Sequence, residues 1–140
     1  MAHPSTKILL VDDDPDFLEI SRGILESAGY QVVVASSPEE AMPLLHLEHP
    51  SLVITDLMMV SLDSGFRFVS EIRETEGFQT IPVVMLTAVA SQRGFDLAPR
   101  SADDLRAMQV DAFIPKPVKP NSLLQTVASL LSKTGENSAR

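Results

Sequence analysis

Four short apolar runs in the 140-residue chain each end on a chemically reactive side chain, and this restricts the fold more than anything else in the sequence. Ile8-Leu9-Leu10-Val11 runs into Asp12-Asp13-Asp14, and Leu52-Val53-Ile54-Thr55 into Asp56. Val83-Val84-Met85-Leu86 runs into Thr87, and Ala112-Phe113-Ile114-Pro115 into Lys116. Short runs rich in Val, Ile and Leu, without polar alternation, read as strands buried on both faces of a parallel sheet. In an open parallel sheet, ligands bind beyond the carboxyl ends of the strands. The pattern therefore delivers three or four carboxylates, a hydroxyl and an ammonium to one rim. Such a set suits a divalent cation and a phosphoryl group.

Helical segments separate the runs. Asp14-Pro15 is a helix start, a capping carboxylate followed by proline at the first helical position. Phe17, Ile20, Ile24, Leu25 and Ala28 form its apolar stripe, and Gly29 is placed to end it in a left-handed conformation. A further strand follows at 31–35. Ser37-Pro38-Glu39-Glu40 is a capping box opening a second helix, with Ala41, Leu44 and Leu45 facing inward. Pro43 is expected to bend or shorten it. A third helix over 65–74 buries Phe68, Val69 and Ile72, and a strand follows at 82–86. Gly94 and Pro99 break the stretch 88–100, after which Ser101 and Asp104 cap a short fourth helix carrying Leu105 and Met108. A last helix over 121–132 buries Leu123, Leu124, Val127, Leu130 and Leu131.

Five strands alternating with five helices predict a flavodoxin-like, doubly wound α/β fold with a parallel sheet of order 2-1-3-4-5. One domain is expected over 7–132, between a flexible amino-terminal segment at 1–6 and a flexible tail at 133–140. Hydrophobic residues at 44% and charged residues at 21% are ordinary globular values. The absence of cysteine excludes disulfides and thiolate chemistry. A formal charge of −8, with no basic cluster, argues against direct nucleic-acid binding. No apolar span is long enough for membrane insertion, so a cytoplasmic location is expected.

Two carboxylates about 4 Å apart repel by about 4 kcal/mol at an effective dielectric of 20. A cluster of them persists at neutral pH by taking up protons or a cation. Mg2+ fits best, because it takes one or two carboxylates with water and phosphate oxygens. One carboxylate is then left to act as a nucleophile and form an acyl phosphate. Asp56 suits that role, standing alone at the centre of the sheet, with Asp12 and Asp13 as metal ligands. Lys116 can pair with a phosphoryl oxygen, and Thr87 can donate to another. Each residue also has a plainer reading: Asp14 as a helix cap, Asp13 as a solvated loop acid, Thr87 as a strand end, Lys116 as a surface lysine. Their joint occurrence carries the inference.

The pattern resembles the receiver domain of two-component response regulators. The residues that carry the likeness are Asp12-Asp13 after strand one, Asp56 within Ile-Thr-Asp-Leu-Met-Met, Thr87-Ala88, and Lys116-Pro117. The resemblance implies that Asp56 accepts a phosphoryl group, with Mg2+, from the phosphohistidine of a sensor histidine kinase or histidine phosphotransfer protein. It also implies Asp56 and the backbone carbonyl of Met58 as metal ligands beside the acidic pair, and a cis Lys116-Pro117 peptide. Thr87 and Phe113 take the switch positions, Phe113 having a core or edge aromatic as its plainer reading. Output would pass to a downstream effector protein or along a relay, with a homodimer left open. Such a chain is no enzyme beyond its own phosphoryl transfer and slow autodephosphorylation.

Departures from the pattern are local. Val60 stands where the family usually has proline, and Ser61 to Gly65 is one residue longer than usual. The added length between Thr87 and Lys116 falls within 89–100. Met58 and Val89 take the positions flanking the path of attacking water, and both are apolar. Three other readings compete: a haloacid-dehalogenase-like phosphatase with Asp12 as nucleophile of an Asp12-x-Asp14 pair, a flavodoxin, and a receiver-like interaction module without phosphorylation. The flavodoxin fits poorly, because three aspartates would repel its phosphate. His46 and His49 lack the further ligands a metal site needs, and His3 is placed in the flexible amino-terminal segment.

Overall fold

Strands buried on both faces must be covered on both faces, and the chain does this with helices on both sides. The computed structural model describes residues 6–56, 64–87, 110–115 and 118–139. Five strands, β1 (Lys7–Val11), β2 (Gln31–Ala35), β3 (Leu52–Asp56), β4 (Val83–Thr87) and β5 (Ala112–Pro115), form one parallel sheet of order β2-β1-β3-β4-β5. The described helices are α1 (Pro15–Ser27), α2 (Pro38–Glu48), α3 (Ser64–Arg73) and α4 (Pro120–Ala139). The order agrees with the sequence reading. The helix expected near Ser101 lies outside the described residues.

Strand alternation divides the core in two. Leu9, Val11, Val53, Val83 and Met85 pack with Ala41 and Leu45 of α2 and with Phe68, Val69 and Ile72 of α3. On the opposite face, Ile8, Leu10, Leu52, Ile54, Val84, Leu86 and Ile114 pack with Leu25 of α1 and with Leu123 and Val127 of α4.

The helix boundaries follow local chemistry. Asp14 caps α1 by accepting from the Asp16 amide at 3.0 Å. At the other end, the Gly29 amide donates to the Glu26 carbonyl and the Tyr30 amide to the Leu25 carbonyl. Gly29 has φ 99°, so this is a Schellman ending that needs a residue at ease in left-handed space. Ser37 Oγ caps α2 by accepting from the Glu40 amide. Glu40 reaches back to the amide and hydroxyl of Ser36, each at 2.8 Å. These bonds hold its carboxyl below the usual carboxylate range.

Three expectations require correction. Ile20 is not part of the buried stripe of α1 but 64% exposed, and Ser21 lies buried one position along. Four-residue spacing from Phe17 through Ser21 to Leu25 sets that stripe. Pro43 does not shorten α2, which continues to Glu48. Its ring is on the exposed side, where water can satisfy the Glu39 carbonyl that a Pro43 amide would have bonded. The last helix runs to Ala139 rather than stopping at 132. No proline follows Leu131 to end it, and Gly135 alone costs only about 1 kcal/mol.

The amino ends of the strands are tied by ion pairs. Lys7 at the start of β1 meets Glu48 at 2.9 Å. Arg73 at the end of α3 donates to the Ile81 carbonyl at 2.7 Å and to Asp111 Oδ2 at 3.3 Å. That same oxygen accepts from the Val83 amide at 2.8 Å. Burial pushes the Arg73 guanidinium below its ordinary value, and Asp111 opposes the shift.

Two glycines in and after α1 should respond to alanine with opposite signs. At Gly29 the added Cβ meets a left-handed backbone, and Gly29→Ala is expected to lower stability by about 1–2 kcal/mol. At Gly23, inside α1, nothing lies within 4 Å of an added Cβ, and Gly23→Ala is expected to raise it by about 0.5–1 kcal/mol. Urea unfolding of the two variants checks both.

Candidate functional site

The ladder sets which strand ends meet. Val11 of β1 lies opposite Thr55 of β3, so Asp12 leaves β1 level with Asp56. Asp56 lies opposite Leu86 of β4. Thr87, the last residue of β4, lies opposite Pro115 of β5, and Lys116 is next in the chain. The aligned strand ends thus put the predicted positions on one side of the sheet, although Lys116 itself, with Pro117, lies outside the described residues. So do Met58, Val60, Val89 and the stretch 88–100. Phe113 is half-buried in β5, opposite Met85, and packs against the α2/α3 core.

Asp12, Asp13 and Asp56 converge. One carboxylate oxygen from each lies within 4.8 Å of the other two. Asp12 is 0% exposed and Asp56 6% exposed, whereas Asp13 faces solvent. The Asp12 backbone is pinned by its amide donating to the Ala35 carbonyl of β2 at 3.1 Å. Its Oδ1 accepts from the Asp14 amide at 3.0 Å. Asp14 itself is exposed and committed to capping α1. The cap reading of Asp14 therefore holds, and the carboxylates that converge are those of Asp12, Asp13 and Asp56. Ala35 contributes through its backbone alone, so no side-chain pattern could have flagged it; the register of β2 was the available signal.

At 4.8 Å and an effective dielectric of 20, each pair of ionised carboxylates repels by about 3–4 kcal/mol. The amino terminus of α1, beside Asp12, relieves a part of this. A hard divalent cation relieves far more, and the all-oxygen donor set fits magnesium rather than a softer metal. Octahedral ligands at about 2.1 Å stand about 3.0 Å apart when cis and about 4.2 Å when trans, so the group closes onto such an ion with movements of up to about 1 Å per oxygen. Among the described residues no second group of three metal-ligating side chains occurs. The two histidines of the α2 end pack on Phe78 instead, His46 edge-on at 5.7 Å and His49 stacked at 6.0 Å.

A buried acidic pair level on adjacent central strands, with an exposed third acid, is the arrangement expected of a phosphoacceptor domain. Comparison with known proteins agrees. The family model described as the response regulator receiver domain matches residues 8–128. The chain belongs to the response regulator receiver domain family. This receiver is 38% identical over 136 residues to the response regulator Rre1 of Synechocystis sp., covering 95% of the chain and 54% of Rre1. It is 37% identical to an uncharacterized 14.6 kDa protein of Leptolyngbya boryana, covering 86% of each chain. The crystal structure of the chemotaxis response regulator CheY4 of Vibrio cholerae superposes with a TM-score of 0.75 at 26% identity, covering 89% of this chain and 98% of that one. The receiver thus spans about half the length of the first two curated relatives it matches. Receiver domains generally bind Mg2+ at an aspartate cluster of this kind, and family membership sets aside the phosphatase and the flavodoxin. No helix among the described residues is long and apolar enough to cross a membrane.

Removing one of three crowded charges should stabilise the metal-free protein. Asp12→Asn keeps an oxygen to accept from the Asp14 amide. The variant is expected to gain about 1–2 kcal/mol in urea unfolding with chelator present, a part of the pairwise repulsion at this spacing.

Proposed function

We propose that this receiver takes a phosphoryl group onto Asp56 from a phosphohistidine and signals through changed partner binding. The observation that carries this reading is the convergence of Asp12, Asp13 and Asp56 at the ends of two adjacent central strands. An Asp56 carboxylate oxygen attacks phosphorus and forms a P–O bond. The P–N bond to the donor imidazole breaks, and its electron pair returns to the ring nitrogen. A magnesium ion held by Asp12, Asp13, Asp56 and the Met58 carbonyl would supply charge neutralisation for the phosphoryl oxygens. Lys116 would pair with one of those oxygens and Thr87 would donate to another. Register supports a switch between Thr87 and Phe113, since Met85 lies opposite Phe113 and Thr87 is two residues beyond Met85. Upstream stands a sensor histidine kinase or histidine phosphotransfer protein, and downstream an effector protein.

Incubation with acetyl phosphate and magnesium, followed by intact-mass and peptide mapping, tests the acceptor. One phosphoryl group on Asp56 is expected, lost in Asp56→Asn and in excess chelator. Label on Asp12, or none despite magnesium binding, would reject the reading. Magnesium at ten times its dissociation constant should add about 1.4 kcal/mol to stability, and less in Asp13→Asn.

The lifetime of the phosphorylated form follows from Met58 and Val89, whose apolar side chains cannot orient water. Slow decay is expected. Met58→Asn and Val89→Glu should each speed it roughly tenfold, equivalent to about 1.4 kcal/mol at the transition state. Decay already fast, and unmoved by both changes, would remove this explanation.

A further inference from the structure

The two edges of the sheet are protected differently. β5 has only four residues, is preceded by Asp111 and ends on Pro115 before Lys116. Charge, proline and shortness are the usual means of keeping an edge from pairing. β2 has none of them. From Ala28 to Pro38 the chain carries no charged residue, though 21% of all its residues are charged. Val32, Val33 and Val34, at the middle of this strand, are each partly exposed.

The hydrogen bonds to β1 show which backbone groups face outward. The Gln31 amide donates to the Thr6 carbonyl, and the Ala35 carbonyl accepts from the Asp12 amide. In a parallel ladder the residues that bond one neighbour alternate with those that face away. Gln31, Val33 and Ala35 therefore turn their amides and carbonyls to β1, and Val32 and Val34 turn theirs to the open edge. Among the described residues no strand pairs with that edge.

We infer that β2 is a self-association edge, and that a second copy of this chain pairs with it antiparallel about a twofold axis at Val33. In that register Val32 lies opposite Val34 of the second copy and Val34 opposite its Val32. All four outward amides and all four outward carbonyls are then satisfied in four hydrogen bonds. Val33 meets its own counterpart in the close, non-bonded pair, Gln31 meets Ala35, and Tyr30 meets Ser36. Every one of these partners is neutral. That neutrality favours a second copy over a different protein: a heterologous strand would be selected by complementary charge, and this edge offers none. In a molecule with net charge −8, an uncharged seam is also where two copies meet with the least repulsion. The result is a continuous ten-stranded sheet. The contact is smaller than a standard interface, so association belongs in the weak, transient class, with a dissociation constant of about 0.1–1 mM.

Residue-resolved amide exchange on the full chain, unphosphorylated, together with sedimentation velocity, tests this at about 20 µM and about 2 mM, which bracket that affinity. Exchange at Val32 and Val34 is expected to slow about two- to fivefold at the higher concentration as dimer appears, with Val33 and Ala35 unchanged because β1 already holds them. Added salt should strengthen the dimer by screening the net charge. Val34→Pro deletes an outward amide that the fold does not use, at an edge position where proline is tolerated. It should abolish both the dimer and the protection at Val32 while far-UV circular dichroism stays native. If that variant fails to fold, the exchange pattern of the unaltered chain still decides. A chain that stays monomeric at about 2 mM, or that dimerises without protecting Val32 and Val34, would overturn the inference. So would a dimer weakened by salt, or protection of this edge only by an added peptide of another protein. None of these readouts depends on phosphoryl transfer to Asp56.

Discussion

Everything at the rim depends on the pairing register between β1 and β3. Val11 opposite Thr55 places Asp12 level with Asp56, and that register is held by apolar burial rather than by the acids. Ile8, Leu10, Leu52 and Ile54 fill one face and Leu9, Val11 and Val53 the other, all essentially inaccessible to water. A slip of one residue would send every side chain of the strand to the opposite face, and both packed faces would have to be rebuilt. The core thus pins together carboxylates that would otherwise separate.

The two ends of the sheet have opposite electrostatic character. At the amino ends, Lys7 with Glu48, and Arg73 with Asp111 and the Ile81 carbonyl, join helices to strands by attraction. At the carboxyl end, three like charges crowd within 4.8 Å. The Arg73 contacts matter most, since a half-buried guanidinium carries a desolvation cost that its partners must offset. They link the end of α3, the start of β4 and the residue before β5, so the far ends of the strands stay fixed while the rim carries the strain. Stability concentrated away from a site, with repulsion tolerated inside it, is the usual division in proteins whose sites trade stability for function.

Much of this was legible in the sequence because the signals were strong and local. Unbroken Val, Ile and Leu runs could only be strands covered on both sides, and their alternation with helical stripes left few topologies. Asp14-Pro15, Ser37-Pro38 and Gly29 marked helix ends through backbone chemistry that needs no tertiary context. What was missed is tertiary. Ile20 and Ser21 sit on neighbouring positions of α1, and only the packing angle against the sheet decides which is buried. Arg73 and Asp111 lie far apart in sequence, and nothing near either marks the pair. His46 and His49 suggested at most a weak metal pair, because Phe78, which engages both rings, lies well away in the chain. The site acids were legible for a different reason: a strand end is a place, and a parallel sheet collects its strand ends on one side.

Charge accounting explains why the proposed acceptor is Asp56 in this setting. A phosphoryl group on Asp56 replaces one carboxylate charge with about −1.5 to −2 near neutral pH, at a rim where two of three carboxylates are already shielded from water. The amino terminus of α1 supplies the equivalent of only about half a positive charge. A divalent cation with one lysine would supply three positive charges, enough to balance the acids but short of balancing acids and phosphoryl group together. The remaining negative charge has to be spread over donors at the rim, which is a force for pulling a hydroxyl such as that of Thr87 toward the new oxygens. On this view the switch is not an added device. It would be the response of a donor at the rim to an excess of charge, with an amplitude set by how much of that excess the metal and the lysine leave behind.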